Sequence, residues 1–393
     1  MSAETDLSFP IEGADFTIGL ELTGDSMVDL KRVLPLDFPE TQPYAASGSL
    51  DLRDGFFGIR DLKIEMGDSD LGGDLTVDVR TDPPVIEGSL RSHHLWLSDL
   101  ALDEDPEGTS EDGSAEEGGK LQAMLHSVDG TLSIEIDDLW FTAGSVGSVD
   151  LKLQIDDGVL DLRHKGVQGS GGTGELILKI DGTKEMLDFE ATADLDRYQY
   201  GPLLQFLDPE SDTEGEVSLV GDLRSRPGPE RLLERSSGTI GVVLYPEEVS
   251  PALLDMWGSP ILRLIAGDKN PTEGTGFNCL AGTLELEDGL LIAERLVADT
   301  EATRLRAKGH FNLLDSTVDL KLTPRPKRRN VVDLALPALV HGPMADPEFT
   351  ISKKGAALKV VKFTYWVITV WGEVFRKTLP ADGSDVCAVP SRS

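Results

Sequence analysis

Few residues of this 393-residue chain are typed and spaced for chemistry. Gly169-Ser-Gly-Gly-Thr-Gly174 matches a dinucleotide-binding fingerprint letter for letter. That fingerprint works by seating a pyrophosphate on a helix N-terminus that opens directly behind it. Here the run Glu175 to Ile180 follows and alternates as a strand, so the glycines read as a bend or bulge. Asp103, Asp105, Glu107 and Gly108 imitate the first half of a calcium loop, but its last ligand position falls on Ser114, where a bidentate glutamate is required. His93 and His94 adjoin on a predicted strand and are expected on opposite faces; His126, His164, His310 and His341 lack metal-ligand spacing. No nucleophile elbow, cysteine–histidine pairing or phosphate-binding loop is present. The sequence therefore predicts no catalytic residue, no metal, no cofactor and no enzyme.

Acidic residues outnumber basic ones 70 to 36, a net charge of −34, and a field of that sign repels nucleic acid and anionic headgroups. Cys279 and Cys387 are too few for a metal framework or a disulfide-rich scaffold. Residues 1–30 carry Glu4, Asp6, Glu12, Asp15, Glu21 and Asp25 and no apolar run, so neither a signal peptide nor a membrane-spanning helix is expected there.

The elements that could position a site are strands. Apolar and polar residues alternate with the period of a half-buried strand. Leu132, Ile134 and Ile136 do so, as do Leu151, Leu153 and Ile155, and then Leu176, Leu178 and Ile180. The pattern returns at Leu75 and Val77, at Phe189 and Ala191, at Leu284 and Leu286, and at Val318, Leu320 and Leu322. Asp-Gly pairs at 54–55, 129–130, 157–158, 181–182 and 288–289 mark tight turns, so neighbouring strands are expected antiparallel. The predicted fold is mainly β: a long, curved, elongated antiparallel sheet, shaped as a taco or groove, with a few short helices.

Helices are expected near 200–207, 230–234 and 251–265, and at a C-terminal amphipathic segment. The divisions read as a β segment over 1–101, an acidic linker or loop over 102–120, a main β-groove over 121–352, a helix over 353–379 and a tail over 380–393. The linker holds eight acidic residues among Gly, Ser, Pro and Thr, a composition that buries no apolar surface. Arg325, Lys327, Arg328 and Arg329 beside two prolines read as an exposed loop.

The C-terminal segment sets Phe363, Trp366, Val367, Val370 and Trp371 between flanking lysines and arginines. Its uncharged run would rise about 15 Å as a helix, roughly half a bilayer core. Two readings stand open: a cap packed on the end of the sheet, or a helix lying in a membrane interface.

Several stretches, taken in order, resemble the AsmA family of bacterial envelope proteins. They run from Cys279 through Gly282 to Glu287 and Asp288-Gly289, Leu296 to Thr300, Gly309 to Leu322, Pro324 to Lys327 and Val340-His-Gly-Pro-Met-Ala-Asp-Pro347, and end at Cys387. Upstream, Ile64 to Leu75 and Pro83 to Arg91 are similar to the family's repeated strand pattern. The resemblance implies a periplasmic, inner-membrane-associated protein, held by an N-terminal helix. No such anchor is among these residues, so the chain is expected to be incomplete at that end. It also implies an elongated β-groove that carries phospholipid toward the outer membrane or influences outer-membrane protein assembly.

Two functions follow as expectations. In the first, a groove binds phospholipid and is lined by the leucines, isoleucines and valine of the runs at 132–136, 151–155, 176–180, 284–286 and 318–322. In the second, the same residues form a dry sandwich core, and the protein is an assembly or scaffold factor acting on outer-membrane proteins through sheet edges. The cysteines stand as a bridge or as two buried thiols; the periplasmic resemblance favours the bridge.

Overall fold

The structure, a computed structural model, describes residues 16–28, 41–100, 115–142, 144–184, 186–207, 214–226, 232–248, 277–301, 303–327, 337–351 and 379–388. Among these are eighteen β-strands, joined in one hydrogen-bonded sheet, and two α-helices. The mainly β architecture expected from the alternation is thus observed. The chain divides into two compact units, residues 1–191 with 201–210 and residues 192–200 with 211–393.

The first unit carries β1 (Phe16–Gly24), β2 (Tyr44–Arg53), β3 (Phe56–Met66), β4 (Ser69–Asp78), β5 (Val85–Trp96), α1 (Ala115–Ser127), β6 (Asp129–Phe141), β7 (Gly144–Asp156), β8 (Val159–Val167) and β9 (Thr173–Asp181). Each strand pairs with the next, and all pairs are antiparallel except β5 with β6, which is parallel. The expected run of hairpins is therefore broken once. A parallel pair needs a crossover, and a 3-10 turn at Leu97–Leu100 and then α1 lie between the two strands. Residues 115–120 of the stretch expected as a linker are thus helical. The helix forms because Leu121 and Leu125 find partners in Ile155, Leu160 and Ile180, packing that outweighs a poor local composition.

β10 (Asp188–Gln199) begins in the first unit and ends in the second, and α2 (Gly201–Leu207) follows it where a short helix was expected. The second unit continues with β11 (Glu214–Ser225), β12 (Ser236–Glu248), β13 (Phe277–Glu287), β14 (Leu290–Thr300), β15 (Thr303–Asn312), β16 (Thr317–Pro326), β17 (Ala338–Pro343) and β18 (Glu348–Ile351). From β11 to β18 every strand pairs antiparallel with its successor. A 3-10 turn at Leu232–Arg235 occupies the site of the second expected helix. The third, at 251–265, and the C-terminal one lie outside the described residues.

Asp157-Gly158 and Asp288-Gly289 have all four φ values positive, between 46° and 79°, as a two-residue hairpin requires. Asp54-Gly55 likewise joins β2 to β3. Asp129-Gly130 and Asp181-Gly182 are not hairpin turns. The first opens β6 behind α1, and its glycine admits the backbone of β5: a Cβ there would lie 1.8 Å from the Ile86 carbonyl oxygen. The second ends β9 and is held by α1, whose Gln122 donates to the Gly182 carbonyl at 2.9 Å. Bulges at Ser47/Ser49, Ile59/Leu62 and Ile136/Leu139 bend the first unit's strands, and bulges at Thr283/Leu284 and Ala293/Leu296 bend the second's.

Candidate functional site: an apolar sheet face

Strand register decides which side chains share a face, because residues directly opposite one another point the same way. In the first unit, Leu90, Ile134, Leu151, His164 and Leu176 form one row across β5 to β9. The next row is Gly88, Leu132, Leu153, Leu162 and Leu178, and a third is Ile86, Gly130, Ile155, Leu160 and Ile180. Ile136 stands in a fourth row with Ser92 and Val149. All nine residues predicted to line a groove here therefore occupy one face. Gly88 lets its neighbours close up, since a Cβ there would lie 2.7 Å from Leu75 and 2.9 Å from Leu132.

The second unit repeats the pattern. Leu284, Ala293, Gly309, Leu320 and Val340 stand in one row, Leu286, Leu291, Phe311 and Val318 in another, and Ala307, Leu322 and Ala338 in a third. The five residues predicted from this unit again share a face. Sequence reasoning left out much of that face, including Leu291 and Leu296 of β14 and Val340 of β17. The bulge at Ala293/Leu296 breaks the two-residue period there and hides the signal.

The two faces differ in cover. In the second unit Val318, Leu320, Leu322 and Val340 are buried, with 1–4% of each exposed, in a cluster with Leu305 and Ala307. In the first, α1 closes one end: Leu125 is 1% exposed and packs with Ile155 and Leu160. Leu153 is half-buried against this cluster; farther from α1, Leu132, Ile134, Leu151 and Leu178 are only half-buried, and Leu176 is exposed. That part of the face can accept apolar ligand surface. Its titratable member is His164, which sequence reasoning passed over although Leu160, Leu162 and His164 share the inward parity of β8. Burial pushes the His164 pKa below its ordinary value, against a smaller opposing influence of the Asp150 backbone and charge.

The polar face carries different structure. Asp299 and Arg304 are fully buried there, Arg304 donating to Asp299 at 2.7 Å and gripping Asp385 with two further hydrogen bonds of 2.8 and 2.6 Å. Lys327, read from sequence as part of an exposed basic loop, is instead buried and donates to Asp299 at 2.5 Å. Arg325 lies in β16, while Arg328 and Arg329 lie outside the described residues. Cys279 and Cys387 form a disulfide, and the Tyr245 hydroxyl donates to the Cys387 carbonyl at 3.0 Å. The segment 379–388 is thus strapped across β12 to β15. Gly383 permits this, since a Cβ there would meet the Asp299 carboxylate at 2.5 Å. The hydrogen bond from Arg304 holds the Asp385 carboxyl below the usual carboxylate range.

By register His94 pairs with Asp138 of β6, and the His93 ring meets Asp70 of β4 at 2.9 Å. Both histidines are exposed, and both backbone N–H groups donate to Asp70 Oδ1, at 2.9 and 2.8 Å. Of the run Gly169–Gly174, residues 169–172 form the bend between β8 and β9, with Gly171 at φ 94°, and Thr173 and Gly174 open β9. Among the described residues no cluster of three or more His, Cys, Asp or Glu could hold a metal ion, and no helix is long and apolar enough to cross a membrane. Phe363, Trp366, Val367, Val370 and Trp371 lie outside the described residues.

No family model and no solved structure matches the sequence. Over 365 residues, 86% of its length, the chain is 23% identical to the AsmA family protein YhjG of Escherichia coli strain K12. The chain spans about half of that relative, 53% of its length.

Proposed function

Starting from membership of an AsmA-like family and the envelope association that membership implies, we propose that the apolar face binds phospholipid acyl chains and conducts lipid between the inner and outer membranes from the periplasm. The observation that carries this reading is the first unit's three aligned rows of leucine and isoleucine, half-buried away from α1. Large apolar patches of that kind are seldom left to water and mark ligand or partner sites. A two-chain lipid leaving a bilayer exposes about thirty methylenes, on the order of 25 kcal/mol at about 0.8 each, and only a continuous apolar lining offsets that. The protein then works without covalent chemistry: its partners are lipid and membrane, and its polar outer residues keep the complex in water.

The second unit favours a different reading for its own part of the sheet. Its buried Val318, Leu320, Leu322 and Val340 are packed as a dry core would be, which suits an assembly or scaffold factor for outer-membrane proteins. A photoreactive amino acid at Leu153, Leu178, Leu320 or, as polar control, Lys152 separates the two in cells. Lipid adducts at Leu153 and Leu178 but not at Lys152 are expected. Protein adducts alone, with no lipid at Leu153 or Leu178, would overturn the lipid reading.

A further inference from the structure

On the polar face of the second unit, β15 and β16 place Lys308 directly opposite Lys321. The bulge in β14 brings Glu294 and Arg295 level with Lys308, and Arg306 stands one step along β15, opposite Thr323. All four cations are exposed, and among the described residues none has an ion pair or hydrogen bond through its side chain. The acids nearest by register are Glu294, level with Lys308, and, each one step diagonal, Asp319 opposite His310, Glu285 beside Thr283, the partner of Arg295, and Asp299, which is buried and engaged by Arg304 and Lys327. Some strand cations elsewhere are matched, Arg60 with Asp51 at 2.8 Å, Arg163 with Asp161 at 2.9 Å and Arg197 with Glu216 at 2.8 Å, whereas Lys63, Lys152, Lys179 and Arg224 stand exposed and apart from one another without a side-chain partner among the described residues. Like charges directly opposite on antiparallel strands destabilise the pair. A chain with 70 acidic residues nonetheless sets four unpaired cations together, with Leu339, 39% exposed, opposite Lys321.

We propose that this cationic face docks on the surface of an anionic phospholipid bilayer, with Arg295, Arg306, Lys308 and Lys321 meeting lipid phosphates and Leu339 entering the interface. The charges form a grid, about 10 Å across three strands and about 7 Å along one. A plane of headgroups can meet all four, whereas an extended acidic peptide offers a single line. The remaining negative charge does not prevent docking, because beyond about 8 Å it is screened at physiological ionic strength. This face is the reverse of the apolar one, so the inference does not rest on the lipid groove.

Co-sedimentation of the full chain with vesicles of phosphatidylcholine, alone or mixed in equal parts with phosphatidylglycerol, tests it. The wild type should bind only the mixed vesicles. Each basic residue near an anionic surface is worth about fivefold in partitioning, so combining Arg306→Gln, Lys308→Gln and Lys321→Gln should weaken binding on the order of a hundredfold. The charge-keeping set Arg306→Lys, Lys308→Arg and Lys321→Arg should retain it. Three results would overturn the proposal: no preference for the mixed vesicles, glutamine variants that bind them as well as the wild type, or loss of binding in the charge-keeping set. Binding of polyglutamate as tight as that of mixed vesicles would reassign the face to an acidic polypeptide. Lipid adducts at Leu153 should be unchanged in all these variants, which separates this test from that of the groove.

Discussion

His164 sits between Leu151 and Leu176 in a row otherwise made of leucine and isoleucine. Burial lowers its pKa from the ordinary 6.5, so the folded protein holds the ring neutral at a pH where the unfolded chain has begun to bind a proton. The sign follows from linkage: the unfolded state carries more protons in that window, so stability declines as pH falls from 6.5 toward the folded value and is undiminished above 6.5. Asp150, through its backbone and its charge, works the other way and more weakly. Replacing His164 with leucine should remove this slope. Urea midpoints of wild type and His164→Leu should lie close together at about pH 8 and separate at about pH 5.5, with the variant the more stable. Midpoints that fall in parallel would show that burial of this ring does not govern the acid response.

At the scale of elements, the segment 379–388 has little apolar surface of its own and is held by one covalent bond, one buried charge network and hydrogen bonds from Tyr245 and Asn278 to its backbone. Cys279 and Cys387 are 108 residues apart in sequence, and closing a loop of that length stabilises by up to about 4.7 kcal/mol in the chain-entropy account. Replacing both cysteines with serine should therefore lower stability by about 2–5 kcal/mol, read from denaturant midpoints of the oxidised protein against the variant. A shift under about 0.5 kcal/mol, within the usual range for surface changes, would mean that Arg304, Asp385 and Lys327, with these hydrogen bonds, hold the segment without the bridge. The network's partners show where sequence reasoning stops. Lys327 looks solvent-exposed in a run of basic residues because its partner, Asp299, is 28 residues away. The helix at Ala115–Ser127 was illegible for a similar reason, since Leu125 is placed by Ile155 and Leu160, which follow it by 30 residues or more. The strands themselves were legible, because a two-residue period and a hairpin such as Asp157-Gly158 are local properties. Locality also explains the error at Asp129-Gly130, where the same dipeptide serves close backbone approach and not a turn.

At the scale of the whole molecule, the excess of 34 negative charges opposes compaction. Exposed ion pairs such as Arg80–Asp78 and Arg163–Asp161 contribute about 0–1 kcal/mol each and are weakened by salt. Repulsion among the unmatched carboxylates is weakened by the same salt and acts over longer range: the screening length is about 30 Å at 0.01 M ionic strength and about 10 Å at 0.1 M. The two effects have opposite signs, and the excess of acids decides between them. Many weak repulsions at intermediate distance disappear over this range, while a contact pair below 3 Å loses only part of its attraction. Melting temperature should therefore rise when sodium chloride is raised from about 0.01 to about 0.2 M, by about 2–4 °C for each kcal/mol of repulsion removed. Chloride suits the measurement because sulfate would also strengthen apolar burial and confound the reading. A melting temperature that stays level or falls over this range would mean that short-range pairs, and not net charge, set the electrostatic balance of the folded state.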